Sequence, residues 1–324
     1  MKDTEPAVID HSAQTAVSDP GIWAALFDEI PPTIGHVSRT ARNLVAHYRA
    51  SAHELPDHSR DDISLRWMER ILATDQGRHA IPLTDDRPVD QRVQGCCRDH
   101  TLVSVAALRH HGLPARSRVG FASYLSPTWH HDHVIVEVWS KGRWQRFDPE
   151  LDSARPRLED PGDLPLGPTS PFLTAARVWL GHREGSLDVT RFGVDEGLGI
   201  DGDWFVHSYV IREVAHRFGD ELLLWDIWGA MHSDLTEAPP EDLALIDEIA
   251  DLSLRADDGD LAAERELLSR YRDDDRLHPG SHIQSWSPYG DRYDVDLVER
   301  TTTRVGWASR APFSPDYRSP APNG

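Results

Sequence analysis

The hydrophobic pattern divides the chain into helical stretches on either side of a mixed central segment. Residues 1–18 show no period and are predicted to be a disordered leader. Apolar residues at helical spacing mark an N-terminal helical region at residues 19–90, and they return in a C-terminal helical region at residues 156–274. Pro, Ser, Arg and Asp then dominate residues 275–324, which are predicted to be a flexible tail. The compact core is therefore expected at residues 91–155.

This central segment combines one buried helix with a small sheet. A helix that begins at Cys97 is apolar on most sides until Gly112 and Pro114 end it, so we expect it to be buried. Alternating apolar and polar residues predict three strands, at residues 115–124, 133–139 and 144–148. A buried helix packed on a small antiparallel sheet, with additional helices on both sides, is an α+β fold.

The last two strands are predicted to form a hairpin whose turn is at residues 141–142. A glycine at the second turn position supplies the positive φ that such a turn needs. With this turn Trp139 is opposite Trp144, and Glu137 is opposite Arg146. An aromatic pair and a pair of opposite charges both favour this register.

The same register brings a histidine and an aspartate together. His133 shares a face with Ile135, and Asp148 is opposite Ile135, which makes them diagonal neighbours at about 7 Å. Cys97, at the predicted helix start, is near the positive end of the helix dipole, which lowers the pKa of a thiol, and Arg98 could add to this effect. A thiol, an imidazole that takes its proton and a carboxylate that orients the imidazole form a cysteine nucleophile. Cys97, His133 and Asp148 are therefore predicted to be catalytic.

A thiolate that attacks a carbonyl group also needs donors for the oxyanion that forms. The backbone N–H of Cys97 is one candidate. Gln91 and Gln94 precede Cys97 by six and three residues, and either side-chain amide could be the second donor. Loop glutamines without any such role are common, and we name Gln91 as the candidate.

These residues lie in motifs that resemble the transglutaminase-like superfamily, in particular its bacterial transglutaminase-like domain proteins. The motifs are Gly95-Cys96-Cys97-Arg98-Asp99, Gly112-Leu113-Pro114-Ala115-Arg116, Asp132-His133 and Phe147-Asp148-Pro149. The resemblance is strongest over residues 91–152. It implies a papain-like core in which a nucleophilic cysteine at a helix start packs against a sheet that holds a histidine and an aspartate. Those roles fall on Cys97, His133 and Asp148.

The residues and the resemblance together predict cysteine-dependent acyl chemistry. An amide or peptide would be hydrolysed, or an acyl group transferred, through a thioester on Cys97, with His133 as base and acid and Asp148 as its orienting group. The alternative is a catalytically silent binding module that kept the fold. The run from His130 to His133 suggests metal binding, but neighbours on a strand point to opposite sides, so neither a metal nor a cofactor is expected.

Composition narrows the class of partner. The formal net charge of −20 disfavours nucleic acid and anionic membranes, and no stretch approaches the ~18 apolar residues that span a bilayer. The two cysteines, Cys96 and Cys97, are adjacent, and adjacent cysteines rarely form a disulfide. Reduced thiols, and a start without an apolar signal, predict a cytoplasmic protein. The expected partner is a peptide, amide or acyl substrate, and the sequence leaves its identity and the oligomeric state open.

Overall fold

The computed structural model describes residues 8–51, 53–154 and 158–307, which fall into two compact units. The first unit takes in the described parts of Met1–Tyr124, His133–Thr174 and Ala215–Leu223. The second takes in the described parts of Leu125–Asp132, Ala175–Val214 and Leu224–Gly324. Within these residues, every helix is too short or too polar to span a lipid bilayer.

Three α-helices and several 3₁₀ helices are described in the first unit. The α-helices are α1 (Ile34–Leu44), α2 (Met68–Arg78) and α3 (Cys97–His110). The 3₁₀ helices span Gly21–Phe27, Asp57–Ser64 and Val89–Gln91. Helix α3 begins at Cys97 as predicted, and its residues are buried from Cys97 to Arg109. A helix without an exposed face is expected to be mainly apolar, and polar side chains that α3 buries, such as Arg98, Asp99 and Thr101, have partners inside the protein.

The described strands of the first unit form two sheets. Their bounds are β1 (Val45–His47), β2 (Val93–Gly95), β3 (Ala115–Ala122), β4 (His130–Ser140), β5 (Arg143–Phe147) and β6 (Phe172–Thr174). The first three residues of one of them, β4, belong to the second unit. Strands β1 and β2 pair in parallel, while the others follow the order β5-β4-β3-β6. The Oγ1 of Thr101 in α3 donates a hydrogen bond of 2.9 Å to the carbonyl of Val134 in β4. This bond fixes the helix that begins at Cys97 to the strand that carries His133.

The hairpin between β4 and β5 has the predicted register. Trp139 pairs with Trp144, and Glu137 pairs with Arg146. The turn residue Lys141 has φ 53°, and the glycine after it has φ 75°, so both adopt the left-handed conformation of a type I′ turn. The two tryptophan rings meet edge to face with centroids 5.7 Å apart. The cross-strand pairs read from the sequence are therefore confirmed.

One predicted helix of the first unit is too long. Apolar spacing predicts a helix over residues 37–48, but α1 ends at Leu44 and the chain continues as β1. Val45 has the extended angles φ −112° and ψ 134° and pairs with Val93 of β2. The pairing partner lies far along the chain, so local periodicity carries no sign of it.

The second unit contains helices and two short sheet regions. Its described elements are α4 (Ala175–Arg183), a 3₁₀ helix at Val189–Arg191, β7 (Phe192–Gly193), α5 (Asp203–Arg217), β8 (Asp226–Ile227), α6 (Pro240–Asp257), α7 (Leu261–Asp273), β9 (His282–Trp286), β10 (Asp291–Asp296) and β11 (Thr301–Trp307). Strand β7 pairs in parallel with the first two residues of β4, and the last three strands join β8 in the order β11-β10-β9-β8. The final three residues of α5 belong to the first unit.

The prediction of disorder at both ends is wrong wherever the structure describes those segments. Val17 and Ser18 are buried, and the Nε2 of Gln14 donates to the carbonyl of Ala106 at 2.9 Å. This leader packs through hydrogen bonds of small polar residues, which leave no hydrophobic period. Residues 282–307 contain β9 to β11, in which a few buried residues such as Ile283 and Val295 lie among polar ones and every residue of β11 is at least partly exposed. Residues 1–7 and 308–324 lie outside the described part.

Candidate active site

The start of α3 is held by a reciprocal pair of hydrogen bonds. The carboxylate of Asp99 accepts from the backbone N–H of Cys96 at 2.8 Å, and the Cys96 side chain accepts from the backbone N–H of Asp99. This capping box satisfies two of the N–H groups that a helix start leaves unpaired. Cys97 is the first residue after the cap, and its exposed fraction is 4 %. The cap therefore fixes the backbone that positions the Cys97 sulfur.

The Cys96 thiol belongs to this cap. A hydrogen bond with the Cys97 side chain lowers the pKa of Cys96, but burial and the negative charge of Asp99 outweigh it, so the pKa lies above its ordinary value. Cys96 therefore stays protonated under conditions in which an activated thiol ionises.

The guanidinium of Arg98 is committed to the fold. It pairs with Asp99 at 2.8 Å and donates to the backbone carbonyls of Arg66 and Glu221, and its side chain is buried. The sequence suggested that Arg98 could lower the pKa of the neighbouring thiol. The structure instead directs this charge to the Asp99 carboxylate and to two carbonyl oxygens.

His133 and Asp148 meet as the hairpin register predicts. The Nε2 of His133 and the Oδ2 of Asp148 are 2.8 Å apart, and both side chains are buried. The second oxygen of Asp148 accepts from the backbone N–H of Glu150 at 3.0 Å. Burial alone would raise the pKa of Asp148, but the charge of His133 and the hydrogen bonds to the carboxylate lower it below its ordinary value. The carboxylate is therefore ionised and oriented towards the imidazole.

Tyr124 is a site residue that the sequence analysis missed. Its hydroxyl donates to the Oδ2 of Asp148 at 2.8 Å, the oxygen that also faces His133. Its ring meets the His133 ring edge to face, with centroids 6.1 Å apart. Burial, and then the charge of Asp148, raise the pKa of Tyr124 well above its ordinary value, so the hydroxyl remains a donor. A single tyrosine just past the end of a strand carries no sequence signal of this role.

An apolar cluster surrounds this part of the site. Besides Tyr124 it includes Ile135, which is two residues after His133 on β4 and which the predicted register places opposite Asp148. The other members are Ala122, Leu151, Leu158, Leu164 and Phe172. These side chains keep water from the carboxylate and strengthen its interaction with the imidazole, because charges interact more strongly in a less polar surrounding.

The two glutamines that were oxyanion candidates lie in different surroundings. The side-chain amide of Gln94 donates to the carbonyl of Pro56 at 2.9 Å and to the Oγ of Ser59 at 2.7 Å, and it is buried. These bonds use the N–H groups that an oxyanion would need. Gln91 ends a 3₁₀ helix and is half-buried, and its assignment stays a prediction.

His47 is a second site residue that the sequence analysis missed, because a helix was predicted there. It ends β1 and is the pairing partner of Gly95, two residues before Cys97. Burial, and then the charge of His133, lower the pKa of His47 to about 3. The ring is therefore neutral at physiological pH and lies close enough to His133 to feel its charge.

The side chains of residues 130–133 contact different partners and do not converge on one point. His130 stacks on Phe192 with ring centroids 4.1 Å apart. The Nδ1 of His131 is 3.0 Å from the carbonyl oxygen of Val194, and Asp132 accepts from the hydroxyl of Tyr209. In the part of the chain that the structure describes, no three His, Cys, Asp or Glu side chains are grouped to hold a metal ion.

Comparison with known proteins bears on the segment that contains this site. Residues 66–149 match the family profile described as "Transglutaminase-like superfamily". No curated protein matches the chain significantly. The solved structure of "a Putative Cysteine Protease from Cytophaga hutchinsonii" is 19 % identical to this chain, and the match covers 45 % of this chain and 43 % of that chain with a TM-score of 0.30. The chain thus carries a transglutaminase-like segment at residues 66–149, within an α+β fold.

Proposed function

We propose that this protein is a cysteine-dependent acyl enzyme, a hydrolase or acyltransferase, whose nucleophile is Cys97. His133 is the base and later the acid, and Asp148 holds the imidazole. The transglutaminase-like match supports a papain-like cysteine enzyme in general terms. The observation that carries the more specific proposal is the buried hydrogen bond of 2.8 Å between His133 and Asp148 in the same unit as Cys97.

The proposed reaction proceeds through a thioester. Because the Nε2 of His133 faces Asp148, the Cys97 proton would pass to Nδ1. The thiolate attacks the carbonyl carbon of the substrate, a C–S bond forms, and the carbonyl electron pair moves to oxygen. When the tetrahedral intermediate collapses, the bond to the leaving group breaks and His133 returns its proton to that group. Water or an amine then attacks the thioester, with His133 accepting its proton, and frees Cys97.

The alternative function is a silent binding module with the same fold. The observation that favours it is the small exposed fraction of Cys97, 4 %, since a nucleophile must be reached by its substrate. The two functions differ in what they require of the thiol. An enzyme needs a reactive thiolate near neutral pH, whereas a binding module needs no more than an ordinary thiol.

Alkylation of Cys97 by iodoacetamide across pH tests the proposal. We expect rapid labelling of Cys97 near neutral pH, located by mass spectrometry of the labelled peptide, and slower labelling in H133A. The variant C96S keeps a capping side chain and leaves Cys97 as the one cysteine, so label incorporated by C96S reports on Cys97. Labelling of Cys97 at the rate of an ordinary thiol in both wild type and H133A would favour the binding module.

A further inference from the structure

His47 lies on the face of its sheet that the first turn of α3 covers. Val45 and His47 share one face of β1, because they are two residues apart on a strand. A Cβ placed on Gly95, the partner of His47, would be 2.9 Å from the Cγ1 of Val45 and 2.7 Å from the Oδ2 of Asp99. The side chains of Val45 and Asp99 are thus on the same side of the sheet. The His47 side chain therefore projects towards the helix turn that begins at Cys97.

Two backbone hydrogen bonds fix the proton on the His47 ring. The N–H groups of Arg49 and Ala50 donate to its Nδ1 at 3.1 and 3.0 Å. A ring nitrogen that accepts carries no hydrogen, so the neutral ring has its hydrogen on Nε2. Among the described residues, Nε2 has no hydrogen-bond partner, and the side chain is half-buried. The site therefore contains a neutral N–H donor with unused capacity.

The orientation of this ring is fixed as well. It stacks on Tyr48, with centroids 5.4 Å apart and planes 12° from parallel. Donors that are held in place before a reaction stabilise developing charge without reorganising. Asp99 and His133 both shift the pKa of His47 through their charges, which agrees with the position of the ring on the sheet face that the first turn of α3 covers.

His100, in the first turn of α3, carries its ring hydrogen on the other nitrogen. Its Nδ1 is 3.0 Å from the backbone carbonyl of Cys96, and a carbonyl can only accept, so Nδ1 carries the hydrogen. Burial lowers the pKa of His100, which keeps the ring neutral. The Nε2 of His100 is then an acceptor, which an oxyanion would repel. Of these two histidines, His47 is the one that can donate.

We propose that the Nε2–H of His47 is the second donor to the oxyanion, beside the backbone N–H of Cys97. The inference rests on the proposed acyl chemistry. As the Cys97 thiolate bonds to the carbonyl carbon, the carbonyl π electrons become a lone pair on oxygen, and His47 donates a hydrogen bond to that oxygen without giving up its proton. Gln94 cannot be the second donor, because its N–H groups are already bonded, and His47 is proposed for this role as an alternative to Gln91.

Two reagents separate this role from activation of the thiol. Acylation of Cys97 by p-nitrophenyl acetate passes through a tetrahedral oxyanion, whereas alkylation by iodoacetamide displaces iodide from a saturated carbon and forms none. The quantity to measure is the ratio of the two rates in the full chain. Loss of one oxyanion donor costs roughly 10²–10³-fold in rate, so a variant without the donor should lose roughly that much of the ratio.

The variants H47N and H47Q form a matched pair. Asn keeps an acceptor at the δ position for the two backbone N–H groups but has no donor at the reach of Nε2. Gln places an amide N–H at that reach. We expect the ratio to fall roughly 10²–10³-fold in H47N and to recover most of this loss in H47Q. If H47N does not fold, H47M replaces it, since Met matches Gln in length and has no N–H.

The outcomes separate the two proposals. The role of His47 predicts that the ratio of acylation to alkylation falls roughly 10²-fold or more in H47N, or in its replacement H47M. A ratio within about twofold of the wild-type value would overturn that role, while the acyl chemistry itself would stand. A parallel loss of both rates would also overturn it, since His47 would then act on the thiol. If wild-type protein releases no more p-nitrophenolate than C97S, the acyl chemistry itself fails, whatever the His47 variants do.

Discussion

Residues outside the Cys-His-Asp set complete the candidate site. Tyr124 shares an oxygen of Asp148 with His133, and His47 presents a neutral donor beside the helix start. The position of Cys97 at a helix start and the meeting of His133 with Asp148 could be predicted, because each residue stands in a recognisable motif at a strand or helix edge. Tyr124 and His47 could not, because their partners are far along the chain and no spacing rule connects them.

The first prediction at this scale concerns Y124F, which removes one hydroxyl and keeps the ring. The pKa of Asp148 is below its ordinary value, so the ionised carboxylate is lost only as pH falls through that lowered pKa. Without the Tyr124 donor the pKa of Asp148 should rise, and the loss should begin at higher pH. We expect the acidic limb of the Cys97 alkylation profile to shift upward by about one pH unit, the scale of one hydrogen bond to a charged group.

The control for this prediction is Y271F, which removes a buried tyrosine hydroxyl in α7 of the second unit. Its alkylation profile should superimpose on that of the wild type. If Y124F also gives the wild-type profile, Tyr124 does not tune the carboxylate.

At the scale of elements, the start of α3 depends on a buried ion pair. Arg98 and Asp99 are 2.8 Å apart with side chains 1 % and 4 % exposed. The substitution D99N leaves the Arg98 charge buried without its partner, which costs about 3–5 kcal/mol of folding free energy. Urea unfolding measures this loss.

The matched control is D86N, which breaks an exposed pair with Arg39 whose side chains are 68 % and 83 % exposed. An exposed pair is worth about 0–1 kcal/mol, so D86N should unfold almost like the wild type. Equal unfolding midpoints for D99N and D86N would mean that the capping box, and not the charge pair, holds the helix start.

The hairpin turn gives a second test at this scale. Gly142 has φ 75°, and a Cβ there would meet nothing within 4 Å, so only backbone strain opposes alanine. We expect G142A to lower the free energy of unfolding by about 1–2 kcal/mol. Gly35, in α1, also has open space, and G35A should instead raise stability by up to about 1 kcal/mol. The same sign for both variants in thermal unfolding would contradict this account.

Register and turn were predictable because local chemistry determined them. The Lys141-Gly142 turn, the Trp139–Trp144 pair and the charge pair beside it all agree on one alignment. Strand β1 was not predictable, because its three residues continue a helical pattern and their partner β2 is more than forty residues away. Elements that depend on distant pairing are those that periodicity misses.

At the scale of the whole molecule, the chain builds its two units from interleaved stretches. Composition and periodicity divide the chain into contiguous segments, whereas each unit collects three separate stretches. Composition indicates how much of a chain is polar, but it does not show which distant stretches associate. The same limit explains the error over residues 282–307, where polar strands with few buried residues were predicted to be flexible.

Truncation tests the strands at the end of the second unit. Ile283, Trp286 and Val295 are buried, and β8 pairs with β9. A chain that ends at residue 280 should therefore expose apolar surface, melt more than about 5 °C lower and bind a hydrophobic dye. A chain that ends at residue 307 keeps these strands and is the control. Equal melting temperatures for the two truncated chains would mean that β9 to β11 add nothing to stability.

The position of Cys96 in the N-terminal cap of α3 also affects how many thiols a disulfide reagent detects in the folded protein. The raised pKa of Cys96 keeps its thiol protonated, while the neighbouring sulfur is the proposed nucleophile. A disulfide reagent added to the folded protein should release one equivalent of its coloured product per chain. The same reagent in strong denaturant should release two, so the active fraction of a preparation can be read without any knowledge of its substrate.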